Sequence, residues 1–536
     1  MGDDCVSETP AEVDIRREPR QPVTDPILGI PVTPAAAATT ANHRLVTMGD
    51  SISHGFMSGA VFRTEVSWPA ILAYELGLRL APPTADPAPP NVFRYPVYEQ
   101  PNGAGGIPFD IERLLRALQG RYGDSVGFTE LFRAAWFAYR YCDGIEDFWE
   151  READTKVPML QATPHNLSVY GWDVRDLLST SYDMMVKAIG ANPARDNRLP
   201  WRQIVESDTA RAGIRVLGPA HAEHGTQTAV EAAEALGNDG GIETLVVMIG
   251  ANNALASMLK LKLCWSGDDF ADCAQKSKYT VWRPSHFAHE WAELGGRLRA
   301  IKARHVIVAT VPSVTIAPIA RGLPAKLAHG SRYFSYYTRP WIDADHFEPR
   351  FDAHVTGDEA RAVDSAIDAY NATIIDSVRA ARTEGLDWYL FELGGLLDSL
   401  ASKRYLTDPA ARPSWWQEYE LPAALQALDP VPNTRFFRSG PEGRADGGLF
   451  SLDGVHPTTI GYGIVAQEVI RVMQRAGVSF QTPTGAARTG DVAVDWHRLL
   501  ATDTLISTPP ALLDDGLGLL GWLDQRLDWV HRLAGG

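Results

Sequence analysis

The segment Leu45-Val46-Thr47-Met48-Gly49-Asp50-Ser51-Ile52-Ser53-His54-Gly55 sets the architecture of the chain. An apolar run that meets a Gly-Asp-Ser turn predicts a β-strand followed by a tight turn and the start of a helix. A serine just past the end of a strand lies where open parallel sheets bind their ligands. The N–H groups at a helix start carry partial positive charge, which suits a nucleophile whose attack creates an oxyanion. Alone, however, Gly-Asp-Ser is also ordinary turn chemistry.

Short apolar runs alternate with helical patterns along the chain, which is typical of an α/β protein. The runs are uninterrupted, so they favour a parallel sheet covered on both faces. We predict strands at residues 44–48, 244–249, 305–311 and 388–392, with a weaker candidate at 211–217. The spacing of apolar residues predicts helices at 289–304, 358–383 and 459–476.

The pattern predicts one large domain, residues 43–477, with additions at both ends. Residues 1–42 are acidic at first and then rich in Pro, Ala and Thr, which predicts a flexible N-terminal tail. Residues 478–536 form a C-terminal extension that we expect to dock on the main domain, and residues 512–533 have an amphipathic helix pattern. Connections in compact domains are usually short. Long insertions are therefore predicted at about 82–163, 313–357 and 399–450.

Two of these insertions are rich in aromatic residues. Their rings could line a wall for an acyl group, or they could form the core of a small subdomain. Aromatic residues at helical spacing usually pack inward, so the core interpretation is favoured. The residues concerned are Trp136, Phe137, Tyr139, Tyr141, Phe148 and Trp149 in the first insertion and Tyr333, Phe334, Tyr336, Tyr337 and Trp341 in the second.

Composition and charge exclude some classes of function. The chain has 536 residues and a net charge of -16, whereas a nucleic-acid partner would require a basic surface. No apolar run is long enough to cross a membrane, so no transmembrane segment is expected. No basic region followed by an apolar one opens the chain. The default expectation is a cytoplasmic protein, and the alternative is a secreted or envelope-associated form whose signal has been removed.

The cysteine and histidine residues give no metal pattern. The four cysteines lack CxxC and zinc spacing. Cys264 and Cys273 bracket a short polar loop, so they could form a disulfide in an oxidising compartment, and two free thiols are an equal alternative. His221 and His224 have no further ligand nearby, which favours a solvated loop. We therefore expect no metal ion and no cofactor.

A second candidate block lies near the C-terminus, Ser451-Leu452-Asp453-Gly454-Val455-His456-Pro457. A serine nucleophile requires a base to take its proton. The base requires an acceptor on its other ring nitrogen, which fixes the tautomer and stabilises the imidazolium. Asp453, three residues before His456, can fill that role without a distant partner. A plain Asp-Gly turn with a capping histidine is the alternative.

Two further blocks can donate hydrogen bonds to an oxyanion. Asn252, in Ile249-Gly250-Ala251-Asn252-Asn253, follows the predicted strand at 244–249 and can turn its side-chain NH₂ into the same crevice. Gly171, in Asn166-Leu167-Ser168-Val169-Tyr170-Gly171, can offer a backbone N–H where a side chain would obstruct. An Asn-rich turn and a plain turn glycine are the alternatives.

These four blocks, in this order, resemble the SGNH/GDSL hydrolase family. The matching blocks are Gly49-Asp50-Ser51, with Ile52 where the family often has Leu, then Asn166 to Gly171, Gly250-Ala251-Asn252, and Asp453 to Pro457. The resemblance implies a flavodoxin-like three-layer α/β/α sandwich around a central, mostly parallel sheet. The connection between the first two blocks is much longer than in compact members, so the resemblance bears on the catalytic centre and hardly on the substrate pocket.

The resemblance also implies a role for each block. Ser51 would be the nucleophile and His456 the base, with Asp453 orienting the base. The oxyanion hole would consist of the N–H of Ser51, the N–H of Gly171 and the side chain of Asn252. The resulting hypothesis is a serine hydrolase of small-molecule or lipid carboxylic esters, an esterase or lipase, that acts through an acyl-enzyme. An acyltransferase and a non-catalytic binding protein on the same fold are the alternatives, and the sequence gives no oligomeric state.

Overall fold

The computed structural model describes residues 6–33, 41–81, 91–100, 105–124, 130–191, 205–218, 225–273, 275–342, 344–345 and 347–513. Its strands are β1 (His43–Gly49), β2 (Phe56–Met57), β3 (Ala60–Val61), β4 (Arg79–Ala81), β5 (Val92–Arg94), β6 (Ile107–Pro108), β7 (Ile242–Met248), β8 (Ala303–Ala309), β9 (Arg321–Lys326), β10 (Phe334–Thr338), β11 (Val355–Thr356), β12 (Trp388–Phe391), β13 (Arg438–Gly440) and β14 (Gly443–Asp446).

The α-helices of the described residues are α1 (Ser51–His54), α2 (Trp68–Glu75), α3 (Ile111–Tyr122), α4 (Leu131–Asp147), α5 (Ala153–Lys156), α6 (Val174–Ser179), α7 (Tyr182–Ala191), α8 (Asp208–Leu217), α9 (Ala229–Asn238), α10 (Asn252–Lys260), α11 (Pro284–Ala300), α12 (Gly357–Thr383), α13 (Leu393–Leu400), α14 (Ala423–Gln426), α15 (Thr459–Arg475), α16 (Trp496–Thr502) and α17 (Thr504–Ser507). Shorter turns of 3₁₀ or π helix lie at Thr64–Val66, Phe148–Glu152, Lys276–Lys278, Val314–Ile316, Ser402–Leu406 and Pro409–Ala411.

A parallel sheet with the strand order β1-β7-β8-β12 forms the centre of the molecule. Residues 165–169 run beside the free edge of β1, where Thr47 forms a parallel bridge with Asn166. The four main strand predictions are confirmed within a residue or two at each end. They hold because uninterrupted apolar runs are what a strand buried on both faces requires.

Alternate residues of the sheet enter two separate apolar cores. Val46 and Met48 of β1 pack on the side of α9, α11 and α12. Leu45, by contrast, packs with α2 and α15 on the opposite side. Because side chains alternate along a strand, helices cover both faces. The protein is therefore a mixed α/β protein whose arrangement is compatible with three layers.

The three predicted helices are present, whereas the weakest of the predicted strands is not. α12 and α15 match the predicted 358–383 and 459–476, while α11 begins at Pro284, five residues before its predicted start. The strand predicted at 211–217 is wrong, because this stretch belongs to α8. Arg211 and Arg215 lie one helical turn apart there and donate to backbone carbonyls of Trp149, Ala153 and Val157. These tertiary contacts favour helix where the apolar run alone suggested a strand.

The N-terminal residues 6–33 lie against the main domain. Arg20 donates to the Glu392 carboxylate, with Nη1 and Oε2 3.0 Å apart, and the N–H of Val23 donates to the same group. The N–H of Leu390, in β12, donates to the Pro26 carbonyl. The prediction of a flexible tail over 1–42 is therefore wrong for residues 6–33, because ion pairing and backbone hydrogen bonds hold the segment to the sheet edge.

The insertions carry small substructures of their own. Within 82–163, α3 and α4 pack together around Leu114, Leu118 and Cys142. Within 313–357, β9, β10 and β11 form an antiparallel sheet, and within 399–450, β13 and β14 form a hairpin. Residues 478–513 pack against α2 and α15 through side chains that include Val478 and Phe480. The amphipathic pattern predicted at 512–533 lies outside the described residues beyond 513.

The aromatic residues of the insertions divide between core and surface. Phe148 and Trp149 are buried beside α3, and Tyr333 and Tyr337 are buried under α12, as the core interpretation predicts. Trp136 is 62% exposed, so the core interpretation is wrong for this residue. It lies on the outward face of α4, opposite the buried Ala134 and Cys142.

The cysteines do not pair as the loop between them suggested. Cys264 is disulfide-bonded, whereas Cys273 and Cys142 are free thiols. The suggested Cys264–Cys273 disulfide is therefore wrong. Backbone pairing offers a physical reason, because the N–H of Trp265 donates to the Val6 carbonyl and so holds Cys264 beside the N-terminal segment.

Within the described ranges, no helix is both long and apolar enough to span a bilayer. The predicted His221–His224 loop lies outside the described residues.

A close contact between β1 and β7 makes Gly49 sensitive to substitution. A Cβ at Gly49 would lie 2.1 Å from the Met248 carbonyl oxygen, so one strand would have to move. We expect Gly49→Ala to lower the free energy of unfolding by about 1–3 kcal/mol or more, measured by urea unfolding. Gly120→Ala is the control, because Gly120 lies in α3 with open space around it, and alanine there should stabilise by up to about 1 kcal/mol. Equal stability of the two variants would contradict the packing argument.

Candidate active site

Ser51 is the first residue of α1, directly beyond the carboxyl end of β1. Asp50 is the N-cap of this helix, and its carboxylate accepts a hydrogen bond from the N–H of Ile52 at 3.1 Å. The Asp50 carboxylate thereby caps the helix that Ser51 begins. The helix ends after one turn at Gly55, whose φ of 92° suits glycine. Ser51 is 6% exposed, so little of the residue is in contact with water.

The Asp50 carboxyl group lies where three parts of the chain meet. Burial raises its pKa to about 7, although the N–H groups of Ile52 and Ala251 and the nearby His456 favour the charged form. Ala251 follows β7 and precedes Asn252, so the ends of β1 and β7 are adjacent here. His456 reaches the same place from the far end of the chain.

Asp453 and His456 form a hydrogen-bonded pair. His456 Nδ1 and Asp453 Oδ2 are 3.0 Å apart, while Asp453 Oδ1 accepts the N–H groups of Val455 and His456 at 2.8 and 2.9 Å. Burial opposes ionisation of Asp453, but the charge of His456 and these hydrogen bonds outweigh it, so the pKa of Asp453 lies below its ordinary value. The carboxylate thus occupies Nδ1 and leaves Nε2 of His456 for another partner.

The chain just after Ser51 holds this pair in place. The N–H of Gly59 donates to Asp453 Oδ2 at 3.0 Å, and the N–H of Ser58 donates to Ser451 Oγ at 2.9 Å. The rings of Phe56 and His456 are in contact, with centroids 4.5 Å apart. Among the described contacts, no hydrogen bond joins Ser51 Oγ to His456. Such bonds are often looser in unliganded serine enzymes.

The predicted glycine block lies against the strand and the helix on either side of the Ser51 turn. Asn166 Nδ2 donates to the Ser53 carbonyl at 2.7 Å, and Asn166 Oδ1 accepts from Thr47 Oγ1 at 3.0 Å. The segment thereby lies against both β1 and α1. Gly171 follows at its end, exposed and with a φ of 78°, a conformation that glycine adopts without strain.

Asn252 begins α10 and faces the Gly171 loop. Its Nδ2 donates to the Trp172 carbonyl at 2.8 Å. An amide NH₂ carries two N–H bonds, so the second remains for another acceptor. The backbone N–H groups of Ser51 and Gly171 have no hydrogen-bond partner among the residues that the structure describes. Donors without a described partner therefore lie on three separate elements, which are the start of α1, the loop that contains Gly171, and the start of α10.

Several neighbours of the site are not predicted by the sequence motifs. His54, on the same helical turn as Ser51, is fully buried and contacts both Tyr98 and the backbone of Tyr170. Ser58 and Gly59 anchor the Ser451–His456 loop. The sequence does hint at His54, because it stands three residues after Ser51 and helical spacing places both on the same turn. Nothing local indicates Ser58 or Gly59, because their partners are nearly four hundred residues away.

The described side chains include no group of three or more His, Cys, Asp or Glu placed to hold a metal ion. In comparisons with known proteins, no protein-family model matches the chain, and no curated protein matches it significantly.

Proposed function

We propose that the protein hydrolyses carboxylic esters through an acyl-enzyme on Ser51. The main support is the Asp453–His456 pair, which Ser58 and Gly59 hold against the serine helix at the carboxyl end of β1. The strand order, with residues 165–169 beside β1 and then β7, β8 and β12, is that of flavodoxin-like sheets, which supports an SGNH/GDSL type of fold.

In the acylation step, Ser51 Oγ attacks the ester carbonyl carbon and His456 Nε2 takes the hydroxyl proton. The new C–O bond gives a tetrahedral oxyanion. When this intermediate collapses, the bond to the alcohol oxygen breaks and the imidazolium returns its proton to that oxygen. The alcohol leaves, and the acyl group remains on Ser51.

Deacylation repeats these steps with water. His456 takes a proton from water as its oxygen attacks the acyl carbon, and the second tetrahedral intermediate expels Ser51 Oγ, which recovers the proton. Asp453 keeps the Nδ1–H tautomer and stabilises the imidazolium that forms twice in each cycle. Its lowered pKa keeps the carboxylate charged for this task.

Three donors would stabilise the oxyanion in both steps. They are the N–H groups of Ser51 and Gly171 and the second N–H bond of the Asn252 amide. Donors that are fixed before the reaction stabilise the oxyanion more than water molecules do, because they need no reorganisation when charge develops. The positive end of the short Ser51 helix adds to the same field.

The test of this proposal is turnover together with active-site labelling of the wild-type chain. We expect hydrolysis of p-nitrophenyl acetate and butyrate, and attachment of a fluorophosphonate probe to the peptide that contains Ser51, located by mass spectrometry. An ester series of increasing acyl length then reports the depth of the pocket. A folded chain that neither turns over these esters nor takes the label at Ser51 would exclude the proposed chemistry.

A further inference from the structure

The buried imidazole of His54 connects the serine helix to the glycine loop. His54 is the last residue of α1, three positions after Ser51, and none of its surface is exposed. Its Nδ1 accepts a hydrogen bond from the N–H of Tyr170 at 3.0 Å. Tyr170 immediately precedes Gly171, so this bond acts on the residue next to the proposed oxyanion donor.

The hydrogen bonds of His54 fix its tautomer. Because Nδ1 accepts from a backbone N–H, the proton of the neutral ring is on Nε2, which lies 2.9 Å from Tyr98 Oη. The Tyr98 hydroxyl donates in turn to the Ala212 carbonyl at 2.9 Å. Hydrogen bonds therefore run in one direction, from the Tyr170 N–H to His54, from His54 to the Tyr98 hydroxyl, and from that hydroxyl to the Ala212 carbonyl. Burial also lowers the pKa of His54 to about 3, so the ring stays neutral.

Side chains from other elements hold the residues on either side of Gly171. Before it, the Tyr170 N–H is bound by His54, and the Tyr170 hydroxyl donates to Asp208 Oδ2 at 2.8 Å. After it, the Trp172 carbonyl accepts from Asn252. Gly171 itself adopts a φ of 78°, and within the described ranges its own N–H has no partner. The N–H of Gly171 is thus oriented by its neighbours.

We propose that His54 is a positioning residue that, through Tyr170, fixes the Gly171 N–H in register with Ser51 for oxyanion binding. This inference rests on the proposed ester hydrolysis. His54 touches neither the substrate nor the reacting atoms in this scheme. Its effect should fall on the transition state, because a displaced donor stabilises the oxyanion less while ground-state binding is unaffected. Loss of the bond should therefore lower kcat by about 10- to 100-fold and leave KM within about threefold.

Two amide variants form a matched pair for the test. In His54→Asn, the side-chain oxygen can replace Nδ1 as the acceptor for Tyr170. In His54→Gln, the longer amide reaches the position of Nε2 and Tyr98 but offers no acceptor at Nδ1. We expect His54→Asn to keep kcat within about threefold of wild type and His54→Gln to lose about 10- to 100-fold at unchanged KM, measured with p-nitrophenyl butyrate.

Tyr98→Phe supplies an independent variant. Removal of the hydroxyl leaves the Nε2–H of His54 without an acceptor, so the ring loses one of the two hydrogen bonds that orient it, and we expect a smaller loss of kcat, again with KM unchanged. Thermal unfolding identifies which variants are folded. If His54→Gln does not fold, the Tyr98→Phe result decides.

The outcomes separate this inference from the proposed function. Wild type that is not labelled at Ser51 and has no turnover would exclude ester hydrolysis itself. An active wild type would overturn the role of His54 if folded His54→Gln were as fast as His54→Asn. A Tyr98→Phe enzyme that is as fast as wild type, when it is the deciding variant, would do the same.

Discussion

Ser51→Ala should abolish ester hydrolysis, with a loss of kcat on the order of 10⁴- to 10⁶-fold at unchanged stability. The alanine lacks the oxygen that forms the acyl-enzyme, so only the oxyanion donors and substrate binding would remain to accelerate attack by water. The fold should survive, because Asp50 caps α1 through the Ile52 N–H and does not require the Ser51 hydroxyl. Initial rates with p-nitrophenyl butyrate and fluorophosphonate labelling measure the effect.

The control for this variant is Ser53→Ala. Ser53 lies on the same helical turn and is fully buried, but within the described ranges its hydroxyl bonds to a single group, Trp68 Nε1, from which it accepts at 3.3 Å. We expect it to lose up to about 1 kcal/mol of stability and to keep kcat within about twofold of wild type. A Ser51→Ala chain with turnover close to that of Ser53→Ala would refute the assignment of the nucleophile.

Asp453→Asn should lower kcat by about 10⁴-fold with little change in KM. The amide NH₂ cannot accept a bond from Nδ1–H, so His456 would adopt the opposite tautomer, with its proton on the nitrogen that must receive the Ser51 proton. The asparagine oxygen can still accept the N–H groups of Val455 and His456, so the loop keeps two of its three backbone bonds to this side chain and loses the one from Gly59. The pH–rate profile and kcat of the purified variant give the measurement.

Asp446→Asn provides the matched control for Asp453→Asn. Asp446 ends β14, seven residues earlier in the chain, and its carboxylate binds Asn433, Gly447 and Arg435 away from the His456 ring. Its kcat should stay within about twofold of wild type. If Asp453→Asn retained more than a tenth of wild-type turnover, Asp453 would not orient the base.

The sheet is predictable from the sequence because its strands are short apolar runs, three of which are followed by Gly49, Gly250 or Pro312. The run at 211–217 misleads because its two arginines belong to a buried surface. Their guanidinium groups satisfy carbonyls of the π-helical turn at Phe148–Glu152, of α5 and of Val157, and a single-chain pattern contains no information on those partners. The prediction of a flexible N-terminal tail fails for the same reason, because Arg20 in that segment pairs with Glu392, which is 372 positions away.

The sequence predicts the candidate catalytic residues better than it predicts the residues that hold them in place. Ser51, Gly171, Asn252, Asp453 and His456 stand in short blocks whose order along the chain suggests one crevice. The supporting residues have no such local pattern. His54 resembles any helical histidine until its two nitrogen atoms are assigned, and Gly59 acts only through its backbone N–H.

The N-terminal segment has a consequence for the order in which the chain assembles during synthesis. Four of its partners lie more than three hundred positions later in the chain, namely Ser365, Arg382, Leu390 and Glu392, so a nascent chain acquires them long after residues 6–33 have been made. At about 5–20 residues per second, a ribosome takes roughly 20–70 s to make the intervening chain. Through that interval Arg20 lacks its Glu392 partner, whereas Val6 and Glu12 gain Trp265 and Ser285 earlier. The contacts of Arg20 and Pro26 form only once β12 and Glu392 have been made, so they mark a nascent chain in which all four strands of the central sheet are present.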